Sequence, residues 1–449
     1  MTMRGKLRRA GAGAQAAAAV GRTRAVAHAF RPPRSRRTFV RMREHTTPPI
    51  TRRDFLTTAA GAAGLGLAAP WLAGCASGGR GTGAAAGRVV YVGTYTEAYA
   101  RGGRREGVFA FRVDPATGAW APLAATDVGP DPSFLALHPN GRVLYAVNEV
   151  ETFEGQPSGA VRAFAVGEAG RLAPLGTARA SRGGAPCYVS VDPAGRAVLV
   201  ANYAGGSVAR LPVAPDGSLF DAAQVRQHLG SGPRADRQER AHAHSILPDP
   251  SGRYALSADL GTDQLFVYRL GDDAAGDALT PAPVPFVAAR PGAGPRHLAF
   301  HPNGRVVYVA NELDLTVASY RFDPGTGALT PLAVVPLVDG PPGDRTAADL
   351  HVAPSGRTVY ASVRGADLLV VLAADPATGA LTRVQQVPTG GRWPRNFALD
   401  PAGRFLYAAN QRSDTVTAFA VDPADGRLRP TGLRVAVPAP VCIRFAGAA

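Results

Sequence analysis

The stretch "HLAFHPNGRVVYVANE", residues 297–312, holds two runs of alternating apolar residues around a Pro-Asn-Gly-Arg turn. Alternation with period two turns one face of each run toward a core, and a Gly-containing turn between two such runs makes an antiparallel hairpin. The pattern recurs as "FLALHPNGRVLYAVNE", "YVSVDPAGRAVLVANY", "SILPDPSGRYALSADL", "LHVAPSGRTVYASVRG" and "NFALDPAGRFLYAANQ". The six Gly-Arg pairs begin at 141, 195, 252, 304, 356 and 403, and a seventh at Gly87 opens "GRVVYVGTY". Spacings of 47 to 57 residues suit one four-stranded blade each. A second hairpin follows most copies, as in "TVTAFAVDPADGRLRPTGL".

The copy at Gly87 lacks its first strand, and the missing piece stands at the other end of the chain as "APVCIRF", residues 439–445. The expected fold is therefore all-β, a seven-bladed β-propeller spanning 88–449 and closed by a C-terminal strand that completes the first blade. Closure removes the free sheet edges that invite aggregation.

A net charge of +15 would ordinarily point to nucleic acid. Its distribution argues against that. Residues 1–53 hold 14 Lys/Arg and one acid, whereas residues 76–449 hold 35 basic and 32 acidic residues, a net of +3. No nucleic-acid partner is expected. Cys187 and Cys442 lie far apart and read as apolar core filler.

The excess charge precedes "TRRDFLTTAAGAAGLGLAAPWLAGC", residues 51–75. Arg52-Arg53 followed by Phe55-Leu56 has the spacing of a twin-arginine export signal, and Leu72-Ala73-Gly74-Cys75 that of a lipoprotein processing box. The small-residue centre is too weakly hydrophobic for a comfortable permanent span. The reading is an export signal over 42–75, lipidation at Cys75, a Gly/Ala tether over 76–87, and a periplasmic or membrane-anchored product. Residues 1–41 are expected to be an extension ahead of a start at Met42.

In a propeller blade the start of the innermost strand and the end of its neighbour meet on one rim. Six residues before each turn proline stand Ser133, Cys187, His244, Arg296, Ala348 and Arg395; the far ends of the second strands hold Asn148-Glu149, Asn202-Tyr203, Asp259-Leu260, Asn311-Glu312, Val363-Arg364 and Asn410-Gln411. Structural positions of a repeat should look alike, yet these vary among charged and polar types while the strand interiors stay apolar. That contrast is what a shared central site produces. The recurrent Asn can serve the backbone where the strand leaves the sheet, and Glu149 can be simply solvated or paired with an arginine.

At these residues the chain resembles the propeller-type 6-phosphogluconolactonase family, which also includes fungal carboxy-cis,cis-muconate cyclases. The carrying segments are "HAHSILPDPSGRYALSADLGTDQLFVY", "GAGPRHLAFHPNGRVVYVANELDLTV", "TAADLHVAPSGRTVYASVRG", "PRNFALDPAGRFLYAANQ" and "GGAPCYVSVDPAGRAVLVANYAGGSV". The resemblance implies a lactone hydrolase with His244, Arg296, Glu312 and Arg364 as its active site, Arg364 being the least direct match. Asn202, His297, Asn311 and Arg395 are the expected substrate contacts. No cofactor and no metal are implied; the partner is a small lactone, the chain is expected to be monomeric, and it meets a membrane only through a lipid at Cys75.

Lactone opening needs an activated water, a stabilised oxyanion and a proton for the leaving oxygen. In this reading Glu312 is the base, His244 the acid, and the two arginines hold negative charge. A cycloisomerase using the same residues toward ring closure, a non-catalytic ligand-binding propeller and a calcium-dependent lactonase are the alternatives.

Overall fold

The computed structural model describes residues 87–97, 106–271 and 278–447. The extension, the twin-arginine motif, Cys75 and the tether up to residue 86 lie outside the described residues. Among those described, no helix is long and apolar enough to cross a membrane.

Seven sheets follow one another along the chain, each antiparallel and traced from the centre outward. The blade that carries the opening stretch consists of Pro295–Phe300, Val306–Asn311, Thr316–Phe322 and Leu329–Pro336. Its second strand, VVYVAN, is buried at every position, whereas its outermost strand is buried only at Leu329 and otherwise exposed or half-buried. Burial on both faces explains the unbroken apolar run, because neighbouring blades cover it from both sides.

The turn glycine of each inner hairpin has a positive φ, from 66° at Gly304 to 73° at Gly356. That left-handed conformation is costly for any residue with a Cβ, which is why the Gly of Pro-x-Gly-Arg does not vary. Four residues beyond the turn glycine, Tyr91, Tyr145, Tyr308, Tyr360 and Tyr407 are fully buried. Three of them tie one blade to the next: Tyr145 Oη donates to Gly217 O at 2.9 Å, Tyr360 to Gly426 O at 2.8 Å and Tyr407 to Gly118 O at 3.0 Å.

The ring closes as expected. Pro440–Phe445 pairs antiparallel with Arg88–Thr94, and these two join Val108–Val113 and Trp120–Thr126 in one sheet. Ile443 and Phe445 pack with Val90, Val92 and Tyr407, so the closing strand belongs to a continuous core. Cys187 and Cys442 are both buried and free, without a disulfide.

Candidate active site

The innermost strands do not run straight into the rim. In the strand Pro295–Phe300, Pro295 pairs with Asn311 but His297 pairs with Ala310, so Arg296 is an extra residue opposite no partner. The same bulge falls on Cys187, on His244 and on Arg395 in their own blades. A bulge bends the strand and re-aims one side chain. Repetition of that device around the ring turns four side chains of three chemical types, a thiol, an imidazole and two guanidinium groups, toward one axis. The second strands deliver Arg364 at their rim end, and Glu312 immediately beyond Asn311.

Cys187, His244, Glu312, Arg364 and Arg395 share a cavity of about 760 Å³. Arg296 lies just beneath it, 2% exposed. Glu312 is the hub. Its Oε2 is 2.9 Å from Arg296 Nε and 2.9 Å from Arg364 Nη2, and its Oε1 is 2.6 Å from Arg237 Nη2. Three buried or half-buried cations thus face one carboxylate, and the cluster keeps a net positive charge. Burial pushes the Glu312 carboxyl up, but Arg364, Arg296 and Arg237 outweigh it and hold it well below the usual range. Burial lowers Arg364 to about 9, where it remains protonated at neutral pH.

His244 is also buried, with Nδ1 3.6 Å from Cys187 Sγ. Burial, then the charges of Arg296 and His297, lower its pKa well below the ordinary imidazole value. That shift favours the neutral imidazole over the imidazolium. The expected base is therefore an ionised carboxylate saturated by guanidinium groups, and the expected acid has no proton of its own to give as imidazolium. Glu312 has the surroundings of an anchor for the arginines. His244 has those of a neutral hydrogen-bonding group.

Three of the four expected substrate contacts turn inward instead. Asn202 is completely buried, and its Nδ2 donates to Ser181 O and Ser207 Oγ at 3.0 and 3.1 Å. Asn311 donates to Thr316 Oγ1 at 2.9 Å. Both serve the strand end, the backbone role open to the recurrent Asn. His297 stands behind Arg296: its Nε2 accepts from Arg296 Nη1 at 3.1 Å while Nδ1–H donates to Asp349 Oδ1 at 2.7 Å. Burial and Arg296 lower its pKa to about 3 against the pull of Asp349. Arg395 does line the cavity, with its guanidinium carbon 5.3 Å from the centre of the Tyr95 ring.

A profile of known sequences described as "Lactonase, 7-bladed beta-propeller" matches residues 89–445. The chain belongs to this lactonase family. It is 36% identical over 358 residues to the 6-phosphogluconolactonase of Bacillus subtilis, a match covering 79% of this chain and 97% of the relative. A 6-phosphogluconolactonase of Pectobacterium carotovorum is 33% identical, over 60% of this chain and 74% of its own. Among solved structures, the periplasmic gluconolactonase of Pseudomonas aeruginosa superposes with a TM-score of 0.73 at 36% identity, covering 81% of this chain and 99% of the other. The protein is thus a lactone hydrolase by family.

One part of the lactonase cavity escaped the repeat comparison, and a second appeared in it but was given no role. Arg237 comes from the loop between Gln224–Gln227 and Ala243–Pro248, which no other blade repeats. Gln238 anchors that loop by donating from Nε2 to Leu260 O at 2.8 Å, and Arg237 also reaches Tyr203 Oη at 3.4 Å. The available signal was length, since the 57 residues between Gly195 and Gly252 form the longest spacing of the seven repeats. The second part is Glu149 with Tyr95, whose hydroxyl donates to Glu149 Oε2 at 3.0 Å. Among the described residues no group of three or more His, Cys, Asp or Glu side chains is arranged to hold a metal ion.

Proposed function

We propose that this lactonase opens a sugar-type lactone by attack of water at the cavity around Glu312, and that it does so outside the cytoplasm. The observation that carries the reading is the excess of positive charge at one buried carboxylate. Arg237, Arg296 and Arg364 surround Glu312, with Arg395 on the same cavity. Water adding to a lactone carbonyl places negative charge on its oxygen, and the product carries a carboxylate. Prearranged guanidinium groups stabilise both, more in the transition state than in the neutral substrate. Glu312 keeps those cations packed together without spending them all. His244, neutral, can donate or accept one hydrogen bond to the ring as it opens.

The export motifs at 52–56 and 72–75 support work in the bacterial envelope, as does the similarity to a relative named as periplasmic. An envelope enzyme would meet unphosphorylated sugar lactones such as gluconolactone. One experiment tests both halves. Cells expressing the full chain are fractionated, and each fraction and the purified protein are assayed on gluconolactone and 6-phosphogluconolactone. Lactone opening is expected in the membrane fraction, moving to the soluble periplasmic or cytoplasmic fraction in Cys75→Ser. Activity in the wild-type cytosol alone would refute export, and turnover of neither lactone would refute the hydrolase.

A further inference from the structure

Glu312 and His244 leave one step of this chemistry without a donor or acceptor, because a proton must leave the attacking water and reach the ring oxygen. A group for that step must reach the cavity, exchange a proton near neutral pH and stand free of a guanidinium clamp. Glu149 lines the cavity outside the clamp of Arg237, Arg296 and Arg364, and burial raises its carboxyl above the ordinary range. It follows the strand Val143–Asn148 at the rim and lines the same cavity as His244, Glu312 and Arg395. Its polar contact is the Tyr95 hydroxyl, with Ser133 Oγ close by but outside good hydrogen-bond geometry. Glu312, by contrast, carries three ion pairs on two oxygens.

We propose that Glu149 is the proton-transferring carboxyl of this site, held in place by the Tyr95 hydroxyl. The proposal rests on the hydrolase reading above. The carboxylate takes one proton of a water whose oxygen bonds to the lactone carbonyl carbon. The ring C–O bond then breaks, and the proton passes from Glu149 to the departing ring oxygen. Lactone and water become one hydroxy acid, and Glu149 ends ionised as it began. General acid–base transfer of this kind contributes roughly a hundred- to ten-thousandfold in rate.

The charged and titratable surroundings fit the role. Burial raises the Glu149 carboxyl above its ordinary range, Arg395 opposes that, Ser133 and Tyr95 favour the ionised form, and Asp131 raises it further. Cys187 faces it from the next blade, and burial together with Glu149 keeps that thiol protonated. A base with a raised pKa must be ionised to act, so turnover should rise with pH along an acid limb lying above the ordinary carboxylate range. The neutral His244 supplies no such limb.

The test is the pH profile of kcat for the full-length enzyme on whichever of the two lactones the wild type opens, over about pH 5 to 8. Glu149→Gln is expected to lose at least about a hundredfold in kcat, with KM within about threefold of wild type, and to lose the acid limb. Tyr95→Phe removes a donor to the carboxylate and is expected to move the limb upward by roughly half a pH unit or more. Glu149→Gln with wild-type kcat and an intact limb would overturn the proposal. Thermal melting checks that the variant folds; if it does not, Tyr95→Phe decides, and a profile superimposable on wild type counts against Glu149. A wild type that opens neither lactone removes the hydrolase reading itself, and that failure is visible before any variant is compared.

Discussion

Glu312 is 3% exposed and answers three guanidinium groups, so its loss is a structural event as well as a catalytic one. A neutral replacement leaves Arg296 and Arg364 buried beside each other without a counter-charge. Breaking a buried ion pair by removing one partner typically costs about 3–5 kcal/mol. Glu312→Gln is therefore expected to lose unfolding free energy of that size in urea titration, and a variant as stable as wild type would show that water already screens the cluster. The sign of the pH dependence follows from the depressed carboxyl. Its stabilisation is present above the unfolded-state pKa of an ordinary glutamate and is lost as pH falls toward the lower folded value. The difference between wild type and Glu312→Gln should accordingly shrink in acid. His244, Arg296, Glu312 and Arg364 were legible because a repeat supplies its own reference, and a charged residue where sister blades differ stands out. Protonation states were not legible, since they depend on Arg237 reaching Glu312 from a loop 75 residues away in sequence.

Each blade's inner hairpin carries two separable requirements, a left-handed turn and a bulge. Gly304 and Gly356 occupy the same turn position with φ of 66° and 73°. Space around them differs. A Cβ on Gly304 would meet only Pro250 Cγ at 4.0 Å, whereas one on Gly356 would stand 2.5 Å from His301 Nε2. That ring also donates to Gly356 O at 3.0 Å, linking adjacent blades. Gly304→Ala is expected to cost the left-handed strain alone, roughly 1–2 kcal/mol. Gly356→Ala adds displacement of a buried imidazole and should lower the melting temperature clearly further. Equal losses would mean that His301 moves without cost. The turns were readable from Pro-x-Gly-Arg and the strands from their apolar runs, although the second strand is buried on both faces and does not alternate as expected. The bulges were not readable, because each falls at the rim end of its strand, where the apolar run is just beginning and a one-residue shift of phase leaves little trace. The consequence is visible at His297, which was expected to contact substrate and instead backs Arg296 from behind.

Across the whole molecule, the strand Pro440–Phe445 comes last in sequence and sits innermost in the first blade, more than three hundred residues from its partner Arg88–Thr94. Seven repeats and a missing first strand were enough to read that closure from sequence, whereas loop contributions to the rim needed the fold. The closing strand fills a position that nothing else can fill. Ile443 and Phe445 pack on Val90, Val92 and Tyr407, the Ile443 N–H donates to Asn396 Oδ1 at 2.7 Å, and Arg444 Nε donates to Leu135 O at 3.0 Å. It therefore holds the seventh blade, the first and the second together. A chain ending at Pro438 would open this three-way contact and expose the backbone edge of Arg88–Thr94, with its run of buried valines and tyrosine. Open edges of that kind pair with other chains. The truncated protein is expected to elute as aggregate in size-exclusion chromatography and to lose a single cooperative melt. Adding a synthetic peptide of residues 439–447 before refolding should recover part of the material at the wild-type elution volume. A truncated chain that elutes and melts like wild type would place the stability of the ring in the blade-to-blade contacts alone.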